Sequence, residues 1–318
     1  MNPQHPSINP ECLVFGSLNL DLVATTPRLP QPGETITGDR FSMVPGGKGA
    51  NQAVAAARLG VATAIVGRVG GDNFAEILVE SLQSAEVQTD RLLKDPAIGS
   101  GVAMITVEQS GENTIAVIPG ANGRVDETDV DRLAEVLPTA KVLLLQLEIP
   151  LAAVEAAARR AKQAGVTVIL DPAPARSDLP DSLYPLLDWI TPNETEASQL
   201  TGIRVHDVEA ARQAAMELCR RGVGRAIVKL GAKGVVCCSK DETIAIPAFP
   251  VEAVDTVAAG DAFNGAIAAA IVRGFSLQET LIYGAAAGAL SATKAGAQPS
   301  LPDRPTLEAF LKASRGKD

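Results

Sequence analysis

The chain has 318 residues, of which 46% are apolar and 20% charged, so it can bury a large core. Its formal charge of −9 repels phosphate backbones and argues against nucleic acid as a partner, and aromatic residues, at 3%, are too few for a site of stacked rings. No apolar run approaches the roughly 20 residues of a membrane span, and the first eleven residues lack a signal-peptide pattern, so we expect a cytoplasmic protein with no membrane partner.

The first part of the chain predicts several strands. Residues 1–11 are polar, carry three prolines and predict a disordered tail ahead of a single domain over 12–318. Apolar or alternating runs predict strands at 12–16, 18–26, 34–44, 101–107 and 113–118. The segments near 18–45 and 101–120 fall outside a regular alternation of strand and helix. We therefore expect them to form a small separate β-sheet, a lid.

The rest of the chain alternates between the two element types. Helices are predicted at 51–59, 72–82, 126–137, 151–164, 194–200, 208–221, 258–273, 277–293 and 306–312. Strands are predicted at 62–66, 142–147, 166–170, 189–191, 226–230, 235–238 and 243–246. This order predicts an α/β fold with a central, mostly parallel sheet flanked by helices on both faces. In such sheets the ligand binds at the carboxyl ends of the strands.

Motifs of several common protein classes are absent. Lys48 is followed by Gly49 where a P-loop has Ser or Thr, and no G-x-G-x-x-G follows the first strand. His5 and His206 lie in no pattern typical of a catalytic triad or a metal site. The four cysteines lack C-x-x-C spacing, so we expect reduced packing cysteines. Hydrolase and zinc interpretations are therefore disfavoured.

The segment 254–265 is the strongest indication of chemistry. Its small residues at 258–260 let the backbone approach a ligand closely, and the helix that follows presents unpaired N–H groups to an anion. Asp261, beside this anion cradle, is well placed to take a proton from a hydroxyl that attacks a bound phosphate. The alternative is that Asp255 and Asp261 only cap the helix.

Polar residues also follow a Gly-rich loop and several predicted strands. Gly46 and Gly47 permit backbone contact with a small polar ligand, and Asn51 offers hydroxyls both a donor and an acceptor, although the loop is equally compatible with a structural role. At successive strand ends lie Glu148, Asp171, Asn193, Glu196, Lys229 and Lys233. Singly, each is also explained as a solvated loop residue or a cap. Together they indicate a site at one edge of the sheet.

These motifs, taken together, resemble the ribokinase family of sugar kinases, the PfkB type. The likeness extends over nearly the whole chain, in order, through the segments 16–21, 46–52, 119–122, 146–148, 171–175, 191–194, 255–261 and 296–300. The resemblance implies a ribokinase-like α/β fold with a β lid. It also implies that the γ-phosphate of ATP is transferred to the 5-hydroxyl of D-ribose.

The resemblance further implies a role for each matching residue. Asp261 would be the catalytic base, with the amides of Ala259 and Gly260 as the anion hole. The sugar hydroxyls would contact Asn19, Asp21, Gly47, Lys48, Asn51 and Glu148. The nucleotide would contact Asn193, Lys229, Gly231, Lys233 and Gly234. Glu196 would act on Mg²⁺ through water, and a monovalent cation, usually K⁺, would be held by Asp255, the Val257 carbonyl, Ser291, Lys294, Gly296 and Ser300. A homodimer formed through the lid is implied as well.

Two positions depart from the family pattern, and other acceptors remain open. Ala285 stands where relatives often carry Asn or His, which removes a polar contact to adenosine. Lys229 occupies a position at which the residue type varies among relatives. Deoxyribose, fructose, a ketodeoxy sugar acid and a nucleoside are alternative acceptors. Scarce aromatic residues count against a nucleoside, and Asp21 and Glu148 count against an acidic sugar. A non-catalytic sugar-binding protein is a further alternative, against which the presence of Asp261 counts.

Overall fold

The computed structural model describes residues 9–315. Its strands are β1 (Cys12–Phe15), β2 (Asn19–Thr26), β3 (Arg40–Gly46), β4 (Thr63–Gly70), β5 (Leu92–Asp95), β6 (Gly101–Glu108), β7 (Asn113–Ile118), β8 (Val142–Leu145), β9 (Thr167–Leu170), β10 (Trp189–Ile190), β11 (Arg225–Lys229), β12 (Val235–Ser239) and β13 (Thr243–Ile246). Its α-helices are α1 (Lys48–Arg58), α2 (Asn73–Ser84), α3 (Glu127–Ala134), α4 (Leu151–Gln163), α5 (Glu194–Thr201), α6 (Val208–Arg220), α7 (Ala259–Val272), α8 (Leu277–Ser291) and α9 (Arg304–Arg315). None of these helices is both long and apolar enough to cross a membrane.

The central sheet has nine strands in the order β13-β12-β11-β10-β9-β8-β1-β4-β5. All neighbours pair in parallel except β11 with β12 and β12 with β13. Side chains alternate between its two faces, so Cys12 and Val14 enter one buried apolar cluster while Leu13 and Phe15 enter the other. The predicted α/β architecture, with helices on both faces of a mostly parallel sheet, is confirmed.

A second sheet of four strands, in the order β3-β2-β6-β7, forms the predicted lid. Strand β2 pairs with β3 in antiparallel and with β6 in parallel orientation, and β6 and β7 form the predicted hairpin. The strand predicted over 34–44 begins only at Arg40, because its partner β2 ends at Thr26 and offers the residues before Asp39 nothing to pair with. Strand β5 was not predicted, since its sequence Leu-Leu-Lys-Asp does not alternate and it lies at the sheet edge.

At the beginning of the described chain, Glu11 is joined to the central sheet. Its N–H donates to the carbonyl of Ala62 at 2.8 Å, and its carbonyl accepts from Lys141 and Val142. Residues 1–8 of the tail predicted over 1–11 lie outside the described residues. The four cysteines carry free thiols, as expected.

Close packing of α1 against α7 brings the Gly-rich loop to the predicted anion cradle. A Cβ at Gly265 of α7 would lie 2.4 Å from the Cβ of Ala55 on α1, so only glycine allows the two helices to cross at this point. Both helices are rich in alanine, which keeps their axes close along the rest of the contact. The crossing sets the first turns of the two helices side by side, and the candidate site is built there.

Candidate active site

The first turn of α7 carries Asp261 and exposes backbone donors. Ala258 is the N-cap residue, and no side chain caps the helix there, because alanine has no acceptor. The Ala259 N–H donates to the Thr256 carbonyl at 3.2 Å. The next position, Gly260, borders a cation, since a Cβ there would lie 3.4 Å from Lys229 Nζ. Because the Ala259 N–H, expected in the anion hole, is bonded to Thr256, this helix end offers an anion the Gly260 N–H and the nearby Lys229 ammonium group.

Asp261 is buried, with 3% of its surface exposed, and amides bind both of its carboxylate oxygens. Asn51 Nδ2 donates to Oδ2 at 2.9 Å, and Gln52 Nε2 donates to Oδ1 at 3.0 Å. Burial raises the pKa of Asp261 to about 6, against the opposing effect of the Lys48 ammonium. A carboxylate with this pKa is ionised at neutral pH yet basic enough to accept a proton, which suits a general base.

A second polar cluster surrounds Glu148, just beyond the end of β8. Its Oε2 accepts hydrogen bonds from the Ser17 hydroxyl at 2.6 Å, the Lys48 N–H at 3.1 Å and Asn19 Nδ2 at 3.4 Å. Asn122 in turn donates from Nδ2 to Asn19 Oδ1 at 2.8 Å and fixes the orientation of that amide. Residues from four separate segments therefore present a polar surface beside Asp261.

Gly47 and Asp21 complete this polar surface. Gly47 has φ +87°, and a Cβ there would lie 2.6 Å from the backbone nitrogen of Asn19, so the loop requires glycine. Asp21, on the lid strand β2, is partly buried. Burial, with smaller contributions from Glu148 and Asp261, raises its pKa to about 7. Near neutral pH this carboxyl therefore both donates and accepts hydrogen bonds.

Lys48 supplies a positive charge among several carboxylates. Burial by itself would lower the pKa of its ammonium group, but Asp261, Asp171, Glu148 and Glu196 outweigh that effect and raise the pKa above its ordinary value. The side chain is therefore a permanent cation at physiological pH. Lys48 connects two regions, because its backbone N–H donates to Glu148 and the residue also lines a large cleft.

The cleft has a volume of about 740 Å³, within the range of nucleotide-sized ligand sites. Its walls include Asn193, Glu196, Lys229, Gly231, Gly234, Val257, Gly260 and Ala285. Ala285 on α8 makes its part of the wall apolar, as the sequence indicated. Lys233 does not line the cleft; its Nζ donates to the His206 carbonyl at 2.8 Å.

Asn193 and Glu196 form a capping box at the start of α5. Asn193 Oδ1 accepts from the Glu196 N–H at 2.8 Å, while the Glu196 carboxylate accepts from the N–H and the Nδ2 of Asn193 at 2.7 and 2.9 Å. Burial and the charge of Asp171 raise the pKa of Glu196. The pair is thus a helix cap whose carboxylate also faces the cleft.

The residues expected around a monovalent cation fall into two bonded groups. Asp255 Oδ1 accepts from the Val257 N–H at 3.0 Å, and Oδ2 accepts from the Gly296 N–H at 2.8 Å. The hydroxyls of Ser291 and Ser300 are hydrogen-bonded at 2.8 Å. The Lys294 N–H donates to the Ser291 carbonyl, which ties that residue to the second group. Within residues 9–315, no cluster of three or more His, Cys, Asp and Glu side chains is arranged to hold a metal.

Sequence reasoning did not assign Gln52, Gln146 or Asn122 to the site, and it left Asp171 among candidates without a role. Gln52 Nε2 reaches Asp171 Oδ2 at 3.0 Å, and Lys229 Nζ reaches Asp171 Oδ1 at 3.0 Å. The only sequence feature that could have assigned Gln52 to the site was its place directly after Asn51. Adjacent residues of a helix point about 100° apart, so helical periodicity does not predict that Asn51 and Gln52 both bind Asp261.

The fold combines a lid sheet with a buried carboxylate and a nucleotide-sized cleft, an arrangement that suits phosphoryl transfer to a small polar acceptor. The chain belongs to the pfkB family of carbohydrate kinases, whose profile matches residues 9–304.

Similar proteins agree with this assignment over almost their whole length. Ribokinase of Haemophilus influenzae is 42% identical over 299 residues, covering 94% of this chain and 97% of that protein. Deoxyribokinase of Salmonella typhimurium is 38% identical, again over 94% of this chain and 97% of its own. The structure of Arabidopsis thaliana ribokinase complexed with ribose and ATP matches with a TM-score of 0.89 at 36% identity, covering 96% of this chain and 99% of that one.

Proposed function

We propose that this protein transfers the γ-phosphate of ATP to the 5-hydroxyl of D-ribose, with Asp261 as the catalytic base. The observation that carries the proposal is that Asp261 lies between two groups that reach both regions: Gly260, beside it in the chain, lines the 740 Å³ cleft, and Asn51, which is bonded to Asp261, follows Lys48, whose N–H donates to Glu148. A sugar bound at the polar surface and a nucleotide bound in the cleft would meet at this carboxylate. Ribose is favoured because Haemophilus influenzae ribokinase is similar along nearly its full length.

In the proposed reaction, Asp261 accepts the proton of the attacking hydroxyl, the sugar oxygen bonds to the γ-phosphorus, and the bond from that phosphorus to the β,γ-bridging oxygen breaks, so that ADP leaves. The transferring group carries negative charge on its outer oxygens, and little covalent work is required of the protein beyond positioning and charge stabilisation. The Gly260 N–H at the start of α7 and the ammonium groups of Lys48 and Lys229 are suited to that charge. Glu148, Asn51 and Asp21 would hold the remaining sugar hydroxyls.

Two ions are part of the proposal because the family resemblance implies them. Glu196 suits Mg²⁺ bound through water, since both of its oxygens already accept hydrogen bonds from Asn193. Bound Mg²⁺ would neutralise charge on the nucleotide phosphates. Asp255, with the buried hydroxyls of Ser291 and Ser300, offers the oxygen atoms that a monovalent cation such as K⁺ prefers.

A homodimer through the lid is proposed on the basis of exposed apolar side chains. Ile115 and Val117 on β7 are 57% and 54% exposed, and the strand register sets Val117 on the same face of the lid as Asp21. Met104 and Phe41, on the opposite face, are 57% and 62% exposed. Exposed apolar surface on a small sheet favours association with another apolar surface, such as the lid of a second subunit.

Deoxyribose is the second candidate acceptor, because deoxyribokinase of Salmonella typhimurium is also similar over nearly the full chain. ADP release from ATP and Mg²⁺, measured with ribose, deoxyribose, fructose and nucleosides, with and without K⁺, separates the candidates. We expect the highest kcat/KM with ribose, raised by K⁺. A higher value with deoxyribose would change the acceptor, and no turnover with any sugar from folded protein would favour a binding protein.

A further inference from the structure

Next to Asp261 lies a network of buried side chains centred on Gln52, none of whose surface is exposed. Its Nε2 donates to Asp261 Oδ1 and to Asp171 Oδ2, each at 3.0 Å. Its Oε1 accepts from Gln146 Nε2 at 2.7 Å. The Gln52 amide therefore donates its two N–H groups to two carboxylates and accepts a hydrogen bond from a second amide. Its hydrogen-bonding capacity is almost fully used.

The orientation of this amide is determined from both sides. Gln146 is also fully buried, and its Nε2 requires an acceptor, so Gln52 Oε1 must face it. On the other side, Lys229 Nζ donates to Asp171 Oδ1 at 3.0 Å, and Asp171 Oδ2 accepts from Gln52. The donors and acceptors thus alternate from Lys229 through Asp171 and Gln52 to Asp261. The polar atoms of Gln52 are all bonded, which fixes its orientation, although the buried Gln146 Oε1 has no hydrogen-bond partner.

We propose that Gln52, oriented by Gln146, is a positioning residue for the catalytic base. It holds Asp261 Oδ1, separates the Asp261 carboxylate from that of Asp171, and leaves Asp261 free to accept the proton of the attacking hydroxyl. This inference rests on the proposed function, in which Asp261 is the base. Without a donor between them, two neighbouring carboxyl groups share a proton, and the base is then partly blocked at neutral pH.

The surroundings of Asp261 make such a donor necessary. The other charged groups that face this site are Asp21 on β2, Lys48 on α1, Glu148 after β8, Asp171 after β9, Glu196 on α5 and Lys229 on β11. Four of them are carboxylates and two are cations. Burial raises the pKa of Asp261, the Lys48 ammonium opposes that effect, and the Asp171 charge adds to it. The amide donors of Asn51 and Gln52 oppose the rise in pKa, because they bind the ionised form.

The test replaces Gln52 by methionine, which has a similar length and cannot donate. Loss of one hydrogen bond to a charged group predicts that Gln52→Met lowers kcat about tenfold to a hundredfold. The acidic limb of the kcat profile should move upward by about 1 to 2 pH units. The KM for the sugar should stay unchanged, since Gln52 makes no hydrogen bond to Glu148, Asn19 or Asp21. A purely structural role would lower stability without moving the pH profile.

Gln146→Met gives an independent readout. Since Gln146 acts through Gln52, its loss should shift the profile in the same direction by a smaller amount, and the double variant should be no slower than Gln52→Met alone. Losses in kcat that multiply in the double variant would contradict the inference. If Gln52→Met does not fold, Gln146→Met carries the test, and an unchanged pH profile in that variant overturns the positioning role.

The wild type and Asp261→Asn separate this inference from the proposed function. No sugar-dependent turnover in the wild type, or full turnover in Asp261→Asn, overturns the proposed function and this inference with it. If Asp261→Asn is inactive while Gln52→Met keeps the wild-type kcat and pH profile, Asp261 remains the base and only the positioning role is wrong.

Discussion

With Asp261 replaced by asparagine, the protein is expected to gain stability relative to the wild type as the pH rises from 5 to 7, while turnover falls about 10²–10⁴-fold. Burial raises the pKa of Asp261 from 3.8 to about 6, so the folded protein holds an ionised carboxylate at pH 7 at a free-energy cost. An amide of the same shape carries no such charge. Because a positioned base contributes about 10²–10⁴-fold, kcat should fall by that factor while the sugar still binds.

The size and sign of the stability change follow from this pKa difference. Below about pH 4 the carboxyl is protonated in both the folded and the unfolded chain and contributes nothing. As the pH rises from about 4 to 6, the unfolded chain ionises while the folded chain keeps its proton, so the wild type loses stability. The full cost is about 3 kcal/mol at pH 7, of which about 1.3 kcal/mol is acquired between pH 5 and pH 7.

Urea unfolding of the wild type and Asp261→Asn at pH 5, 6 and 7 measures this difference directly. The new amide turns one N–H toward the donors of Asn51 or Gln52, but that penalty does not depend on pH and cancels when the three conditions are compared. Asp129→Asn is the matched control. It alters a buried carboxylate bonded to Arg68 and Arg132, and should leave kcat unchanged. A stability advantage of Asp261→Asn that does not grow with pH would refute the reasoning.

Four further outcomes are expected. Glu148→Gln weakens the acceptor of three hydrogen bonds and should raise the KM for ribose about tenfold or more, with a smaller effect on kcat, in steady-state assays. Asp21 has a pKa of about 7 and accepts hydrogen bonds from sugar hydroxyls best when it is ionised. The value of kcat/KM should therefore rise as the pH increases through about 7, and Asp21→Asn should remove this rise. Asp255→Ala should abolish activation by K⁺ while leaving the K⁺-free rate unchanged; an equal loss with and without K⁺ would exclude the ion site there. Ile115→Asp, at a 57% exposed lid position, should shift the protein from dimer to monomer in sedimentation velocity, and an unchanged mass would place the interface elsewhere.

Local patterns in the sequence determined most of the architecture. Alternating and apolar runs located twelve of the thirteen strands and all nine α-helices among the described residues, because side-chain periodicity follows directly from strand and helix geometry. The same patterns set Glu148 and Asp171 at the carboxyl edge of the sheet. They could not fix the start of β3 at Arg40, because the length of a strand depends on its partner, or detect β5, whose four residues do not alternate.

The residues that could bind and react were also visible in the sequence, as a Gly-rich loop and a small-residue turn before Asp261. Only the tertiary structure decided which of them meet. Gln52 and Asp261 are 209 positions apart and are joined because α1 and α7 cross where Gly265 contacts Ala55. Lys229, expected near the phosphates, is paired with Asp171, another residue distant in the chain that only the packing of the fold brings close. A hydrogen bond depends on a few tenths of an ångström between distant segments, and that distance is set by the packing of the whole core.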